Sequence, residues 1–576
     1  MAADTKKWVL RSQDPEKARA FARTLDTTPL VGQILLNRGF VDTDEAAQFL
    51  KCHLGDLTDP YLLNDMEKAV DRIALALERK EKILIYGDYD VDGVTATSLL
   101  LLFLRDLGHS AYYYIPNRVE EGYGVNRESI RKFMDKGITL VVTVDCGISS
   151  IEGIKYARSL GMDVIVTDHH EPPPVLPEAE ATINPLLKDC PFPYKSLSGV
   201  GVAFYLVAGI RKGLREKGFF DKHEEPSLLD YLDLVAVGTI ADIVPLTGIN
   251  RILVRAGLDQ INTNSRLGIR TLLDVCGIAS GQVDSSTVAY RLAPKINAAG
   301  RLSDASAGVR LLTTDNADDA ERLAGYLDVE NVERQRIEEK IFSEALDQIV
   351  SGGYLEGKHS LVLSSVEWHP GVVGIVASRL MERYYLPTIL LCLENSVLKG
   401  SARGIPSFHL YKGLSMCGDL LLEFGGHKYA AGVKIHPDNL EAFRERFESV
   451  VKEMVPADGF TPVMTLDALV ELSELGFEEV ARYQDLSPFG AGNPEPVLLL
   501  RNIEPLDPRI VGGDHLSFHV RQDDHTISAI AFRQAYELEN LTSNMELAVV
   551  PEIQTWRGVS SVKLKVKGMR KASTYY

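Results

Sequence analysis

The chain alternates between short unbroken apolar runs and longer stretches with helical spacing. Ile83–Tyr86 is apolar throughout, the pattern of a strand buried on both faces. Gly87 interrupts it, and Val94–Leu104 then carries apolar residues at helical intervals. The alternation continues with a strand at Ala111–Ile115, a helix from Arg127, a strand at Thr139–Val144, a helix from Ser150 and a strand at Met162–Thr167. Such alternation predicts a parallel sheet with right-handed crossovers. A more helical half follows and includes Leu228–Ala241. Residues 316–350 read as one long helix, with Leu323, Leu327, Ile337, Ile341, Ala345 and Ile349 at helical spacing and Gly352-Gly353 ending it. A second α/β unit is predicted over about 355–455. From about 460 onward short strand runs recur, at Val497–Ile503, His515–Val520, Thr526–Phe532, Leu547–Val550 and Val562–Val566, the spacing of a small β-barrel.

The polar residues that interrupt this pattern are not evenly spread. Asp88, Asp90 and Asp92 follow the first strand, Asp145 follows the strand at Thr139–Val144, and Asp168, His169 and His170 follow the one at Met162–Thr167. In open α/β sheets ligands bind beyond the carboxyl ends of the strands. A helix N-terminus explains one aspartate in the first turn as a cap, worth about 0.3–1 kcal/mol, but not the whole set. Hard divalent cations such as Mg²⁺, Mn²⁺ or Ca²⁺ would explain it. The EF-hand spacing fails, because no Glu stands at the twelfth loop position after Asp88. Asp242 follows the apolar helix and is read alone as a terminal residue; beside the other acids it becomes a candidate ligand.

Two later segments, Lys399–Gly404 and Gly425–Gly432, read as small-residue loops bearing Arg403, His427 and Lys428, a pattern suited to cradling phosphate. The tight turn is the plain alternative. In the tail, Phe518, Phe532 and Trp556 are either stacking aromatics or core, and 553–576 carries Arg557, Lys563, Lys565, Lys567, Arg570 and Lys571 with no acid. An OB-like barrel would bind single strands through aromatics and a basic groove; a β-sandwich packing module is the alternative, and the sequence does not separate the two.

Composition narrows the class. The chain has 576 residues with 45% hydrophobic and 25% charged content, ordinary for a globular protein of two to four domains. A net charge of −18 argues against a general polyanion binder but leaves local phosphate contacts open. The cysteines (Cys52, Cys146, Cys190, Cys276, Cys392, Cys417) show no zinc or redox spacing. With no signal peptide and no bilayer-length apolar run, a cytoplasmic protein with reduced thiols and no membrane partner is expected.

The segments DYDVDG (88–93), VDCG (144–147), TDHH (167–170) and GTIAD (238–242) resemble, in order, the four motifs of the DHH phosphoesterase superfamily. WHPGVVGIVASR (368–379) and GGHKYAAG (425–432) resemble its companion DHHA1 domain. With the long helix and β-rich tail, the order is similar to the branch of single-stranded-DNA-specific 5′→3′ exonucleases. The resemblance implies five regions. They are a helical N-terminal extension packed on the DHH domain (1–80), a DHH catalytic domain (81–315), a connector helix (316–352), a DHHA1 substrate-binding domain (353–456) and an OB-like nucleic-acid-binding domain (457–576). It implies two-metal hydrolysis with Mn²⁺ or Mg²⁺, releasing 5′-mononucleotides in DNA repair and recombination. Asp145 would bridge the two ions, Asp88 would serve one, and Asp90, His169 and Asp242 the other. His170 would contact the scissile phosphate and Asp168 would orient its neighbours. Arg118, Ser401 and Arg403 would read the 5′ phosphate, with Arg301, Asn297, His369 and His427 as further DNA contacts.

Two departures stand out: Leu84 occupies the place of a ligating His found in the family's pyrophosphatases, and Lys295 stands where Arg is more familiar. The implied partners are single-stranded DNA, single-strand-binding protein and a RecQ-type helicase, the chain itself being a monomer. A DHH phosphodiesterase of short oligonucleotides or cyclic dinucleotides is the alternative, and a non-catalytic binding protein of the same fold a remote third.

Overall fold

The computed structural model describes every residue except 1–5, 119–120, 280, 356, 557 and 573–576, and all side chains within those limits except that of Trp556. Arg557 and the Trp556 side chain therefore lie outside the described residues. The chain forms two compact units: one holds Leu57–Val244 and Leu253–Pro462, the other Lys6–Asp56, Pro245–Ile252 and the residues from Val463 on.

In the first unit, five parallel strands lie in the order Tyr112–Tyr114, Lys82–Tyr86, Ile138–Val144, Asp163–Thr167, Ala181–Ile183. The first of these in sequence has its successor on one side and the third on the other, so strand order reverses beside Lys82–Tyr86. That is a topological switch point, where such sheets open a crevice. Ile83, Leu84, Ile85 and Tyr86 are fully buried, as an unbroken apolar run requires. The following helix starts at Val91, a turn earlier than its apolar spacing predicts, because Asp90 caps it.

The long helix runs Ala317–Ser351 and starts at Asn316, whose side chain accepts from the Asp319 N–H at 2.9 Å. It does more than bridge. Ile341, Phe342, Ala345 and Ile349 share an apolar core with Leu361, Leu363 and Val376 of the second α/β region. Arg379 adds ion pairs to Glu338 and Glu339 at 2.8 and 2.9 Å, its guanidinium 3.9 Å from the Phe342 ring centre.

The second sheet has the order Leu421–Gly426, Ala430–Ile435, Val397–Arg403, Thr388–Glu394, Leu361–Ser365, with only the last pair parallel. This corrects the sequence reading at two places. Residues 397–403 are a strand paired on both sides, and 421–435 is a β-hairpin. Their backbone N–H groups serve the ladder, so any anion contact from Ser401 or Arg403 is made by side chains.

In the second unit, strands Leu498–Val511, His515–Gln522, His525–Ala531, Val559–Lys571 and Met545–Trp556 follow one another around a barrel, closed by pairing of the first with the last. Phe518 is core, whereas Phe532 is 47% exposed and meets His515 edge-on at 5.2 Å. The basic strand is less basic than its sequence: Lys565, Lys567 and Arg570 face Glu552, Glu495 and Glu546 at 3.5, 3.2 and 2.6 Å. The N-terminal region also departs from expectation. Lys7–Leu10 pairs with Val463–Leu466, and Phe21, Val31, Ile34, Leu35 and Ala46 enter the barrel's apolar core. Residues 6–56 thus belong to the barrel unit, and only residues from Leu57 on belong to the unit that holds the DHH sheet, because an amphipathic helix shows that it has a partner without showing which.

Candidate metal centre

The turn after Lys82–Tyr86 is unusually tight. A Cβ on Gly87 would lie 2.0 Å from Thr97 Oγ1, and one on Gly93 would lie 2.5 Å from the Asp88 carbonyl oxygen. Only glycine permits this close approach. Asp90 Oδ1 accepts from the N–H groups of Asp92 and Gly93 at 3.0 and 3.2 Å, a cap worth about 1 kcal/mol. Asp90 nevertheless also groups with Asp88 and Asp145, their ligand atoms all within 4.8 Å of one another. Asp145 follows the adjacent strand in the left-handed region, at φ +60°. Its Oδ1 stands 3.1 Å from His169 Nε2, and the same nitrogen lies 3.6 Å from Asp242 Oδ2 and 3.9 Å from Asp92 Oδ2. Three strand ends and one helix end therefore converge.

Asp88 Oδ1, Asp145 Oδ1, His169 Nε2 and Asp242 Oδ2 are all buried without a hydrogen-bond partner. Unpaired buried polar atoms of this kind are costly. Burial, followed by neighbouring carboxylates, pushes Asp88, Asp145 and Asp242 well above the usual range and Asp92 up to about 7. Burial and then His170 bring His169 down to about 4, so its imidazole is neutral and has a lone pair to give. Oxygen-rich donors with one imidazole fit Mn²⁺ or Mg²⁺.

Asp168 is held differently. Its Oδ1 accepts from the N–H groups of His169 and His170 and from His170 Nδ1 at 2.8, 3.1 and 2.7 Å, and its Oδ2 accepts from Ile148 N–H at 2.9 Å. Burial works to raise this carboxyl, but His170 and the backbone donors outweigh it and keep it below the usual range. In return, and against the effect of burial, Asp168 raises the His170 pKa.

Two residues here have no individual role in the sequence reading. Asp92 accepts from Gly199 and Val200 N–H at 2.6 and 2.8 Å, anchoring the N-terminus of the helix Gly199–Glu216 beside the cluster. Tyr123 places its hydroxyl 3.0 Å from His170 Nδ1 and donates to the Asp145 carbonyl at 3.3 Å. The signal for Asp92 was the third acid of DYDVDG; for Tyr123 it was an aromatic between Gly122 and Gly124.

A cationic group faces the acidic one. Arg118 lies 5.0 Å from the Tyr89 ring centre. Burial first, then Arg118, Arg334 and Arg403, brings Arg301 down to about 10; burial and then Arg118 also lower Arg403. Arg301 donates to the Gly371 carbonyl at 3.1 Å. Ser401 and Arg403 crowd Gly374 in the helix Val373–Tyr384, where a Cβ would lie 3.1 Å from Ser401 Oγ and 3.0 Å from Arg403 Nη2. The remaining predicted contacts have other duties or lie apart. Asn297 Oδ1 accepts from Val91 N–H at 3.2 Å, Lys295 pairs with Asp328, and His369 Nδ1 accepts from Gly371 N–H at 3.1 Å. His427 is exposed between the hairpin strands.

A parallel sheet with acids at its switch point, facing a cationic second domain, defines a DHH-type phosphoesterase. The DHH family, N-terminal domain, matches residues 82–239, the DHHA1 domain 358–453 and the RecJ OB domain 466–568. Single-stranded-DNA-specific exonuclease RecJ of Escherichia coli is 39% identical over 93% of this chain and 95% of its own length; that of Bacillus subtilis is 36% identical over 98% and 71%. The crystal structure of RecJ in complex with Mn²⁺ from Thermus thermophilus superimposes with a TM-score of 0.82 at 32% identity, covering 99% of this chain and 80% of that one. The chain belongs to the RecJ family.

Proposed function

We propose that this chain is a single-stranded-DNA-specific 5′→3′ exonuclease that hydrolyses phosphodiester bonds to 5′-mononucleotides in DNA repair and recombination. The observation that carries this reading is the orphaned acid–imidazole cluster lying opposite Arg118, Arg301 and Arg403 within one unit. Asp88, Asp90, Asp145, His169 and Asp242 would hold two Mn²⁺ or Mg²⁺ ions, Asp145 being the carboxylate common to the group with Asp88 and Asp90 and the group with His169. The ions supply charge that polarises the phosphoryl group and acidifies a bound water.

The chain's own groups do the rest. His170, raised by Asp168 and fixed in orientation, offers a proton-bearing imidazole to a phosphate oxygen. Arg118, Ser401 and Arg403 take the doubly charged 5′ phosphate, which guanidinium groups grip in pairs of hydrogen bonds. Arg301, buried and within electrostatic reach of Asp90, Arg118 and Arg403, steadies the backbone of the strand. The closed barrel adds contacts to the strand, with half-exposed Phe532 as a stacking surface. The five regions expected from the sequence serve this division of work, with residues 6–56 reassigned to the barrel.

An enzyme that takes only single strands needs a supply of them. By the family resemblance, single-strand-binding protein and a RecQ-type helicase are the proposed partners, in the cytoplasm, with the chain acting as a monomer. No helix among the described residues is long and apolar enough to cross a membrane.

The test is digestion of a 5′-phosphorylated single-stranded oligonucleotide in Mn²⁺, labelled at each end in turn, beside Asp145→Ala. Early mononucleotide release from the 5′ end, absent in the variant, is expected. Intact long strands alongside cleaved dinucleotides would assign the chain to the short-substrate phosphodiesterases instead.

A further inference from the structure

The helix Gly199–Glu216 begins against the acidic cluster, and the way its first N–H groups are satisfied sets one acid apart from the others. The opening N–H groups of a helix have no partner within it. Ser198 Oγ accepts from Gly201 N–H at 3.1 Å. Asp92, 1% exposed, takes the two before it: its Oδ2 accepts from Gly199 N–H at 2.6 Å and its Oδ1 from Val200 N–H at 2.8 Å. Both Asp92 oxygens are thus engaged. Asp88 Oδ1, Asp145 Oδ1 and Asp242 Oδ2, by contrast, are buried with no hydrogen-bond partner among the described residues. Asp92 groups with His169 and Asp242 by distance, yet its contacts are those of a clamp.

What Asp92 clamps lies directly against the other acids. A Cβ on Gly199 would lie 2.4 Å from Asp145 Oδ1 and 2.6 Å from Asp145 Cγ, so the helix start is in contact with that carboxylate and an added methyl must displace it. Asp92 also meets the helix Leu232–Ala241: a Cβ on Gly238 would lie 3.0 Å from Asp92 Oδ1, and the Gly238 carbonyl accepts from Asp242 N–H at 2.9 Å. Ser198 and Thr239 close the same junction, their hydroxyls 2.7 Å apart. We propose that Asp92 is a positioning residue: by holding the start of the helix Gly199–Glu216 it seats Gly199 as a backstop that fixes Asp145, the carboxylate that two of the ligand groups share. This deepens the metal-ion reading of the cluster and rests on it.

The experiment is calorimetric titration of the full chain with Mn²⁺, for wild type, Asp92→Asn and Gly199→Ala, with melting curves to confirm folding. Asn offers one acceptor oxygen where Asp offers two, and its amide nitrogen opposes the second N–H. Gly199→Ala leaves the Asp92 carboxylate in place and adds one methyl against Asp145, with alanine the better helix former. Disturbing a group that orients a ligand costs roughly 10–100-fold in metal affinity. Because the ligand groups share Asp145, the expected result is two Mn²⁺ sites in wild type and, in each variant, both sites weakened about tenfold or more. Gly199→Ala with wild-type affinities would overturn the proposal. So would Asp92→Asn that weakens one site alone, the mark of a direct ligand, or that lowers Tm with both affinities unchanged, the mark of a merely structural residue. Either variant decides alone if the other does not fold. A wild type that binds no Mn²⁺ would overturn the metal centre itself, and the role of Asp92 with it.

Discussion

The Asp168 carboxylate and the His170 imidazole lie 2.7 Å apart, and the other Asp168 oxygen is locked to the Ile148 N–H. The carboxylate can only accept, so Nδ1 carries the shared proton and His170 presents Nε2 outward. Asp168→Asn removes the charge that lifts the His170 pKa and so lowers it. The protonated imidazole is then lost at lower pH, and the alkaline limb of the rate profile moves towards acid. A fall of about 10–100-fold in rate is expected with Mn²⁺ still bound. An unchanged pH profile would remove His170 from the chemistry.

Asp145→Asn keeps the shape of the side chain but takes a charge from the centre of the cluster. Losing a direct ligand should cost more than losing an orienting one, so hydrolysis should fall by more than about a hundredfold. End-labelled oligonucleotide assays over a range of Mn²⁺ concentrations check this.

How far this centre could be read from sequence follows from how local each signal is. Asp88, Asp145 and Asp168 each close an apolar run, so their place at strand ends was legible. The role of Asp92 was not, because it depends on Gly199 and Val200 arriving from more than a hundred positions away. The strand at 397–403 and the hairpin at 421–435 were misread as loops for a similar reason. Their small residues give no periodicity, and only the pairing of Gly425 with Gly432 and of Gly432 with Ser401 makes them sheet.

Without cations, the cluster should make the protein sensitive to pH. Asp92 is raised to about 7, and Asp88, Asp145 and Asp242 are well above their ordinary value. In the unfolded chain these carboxyls release their protons near pH ~4. Above that pH the folded state binds more protons than the unfolded one, so stability falls as pH rises through about 7. The Tm of EDTA-treated protein should therefore drop between about pH 5 and pH 8, and Mn²⁺ should raise Tm more at the higher pH. A cation-free Tm that climbs over that range would show the carboxylates to be satisfied without metal.

Arg118→Ala or Arg403→Ala should blunt the choice between 5′-phosphate and 5′-hydroxyl ends. A hydrogen bond to a charged group is worth about 1.5–3 kcal/mol, or roughly 10–100-fold. That loss should appear in KM for phosphorylated strands, with little change for hydroxyl ends. Equal loss on both substrates would place these arginines elsewhere than at the terminal phosphate.

Removal of the barrel must respect the packing of residues 6–56. Cutting the chain after Pro462 deletes Leu498, Leu516, Phe518 and Leu547 but leaves Phe21, Val31, Ile34 and Leu35, which share their core. Those helices would then expose a contiguous apolar face, a known source of association. Trimming residues 1–56 as well removes that face but still frees Leu246 and Arg251, whose burial depends on 485–493 and Phe49. The single cut should therefore aggregate. The double cut should be soluble and monomeric. Size-exclusion chromatography of the two truncations checks both halves. A single cut that stays monomeric would mean the N-terminal helices find another partner.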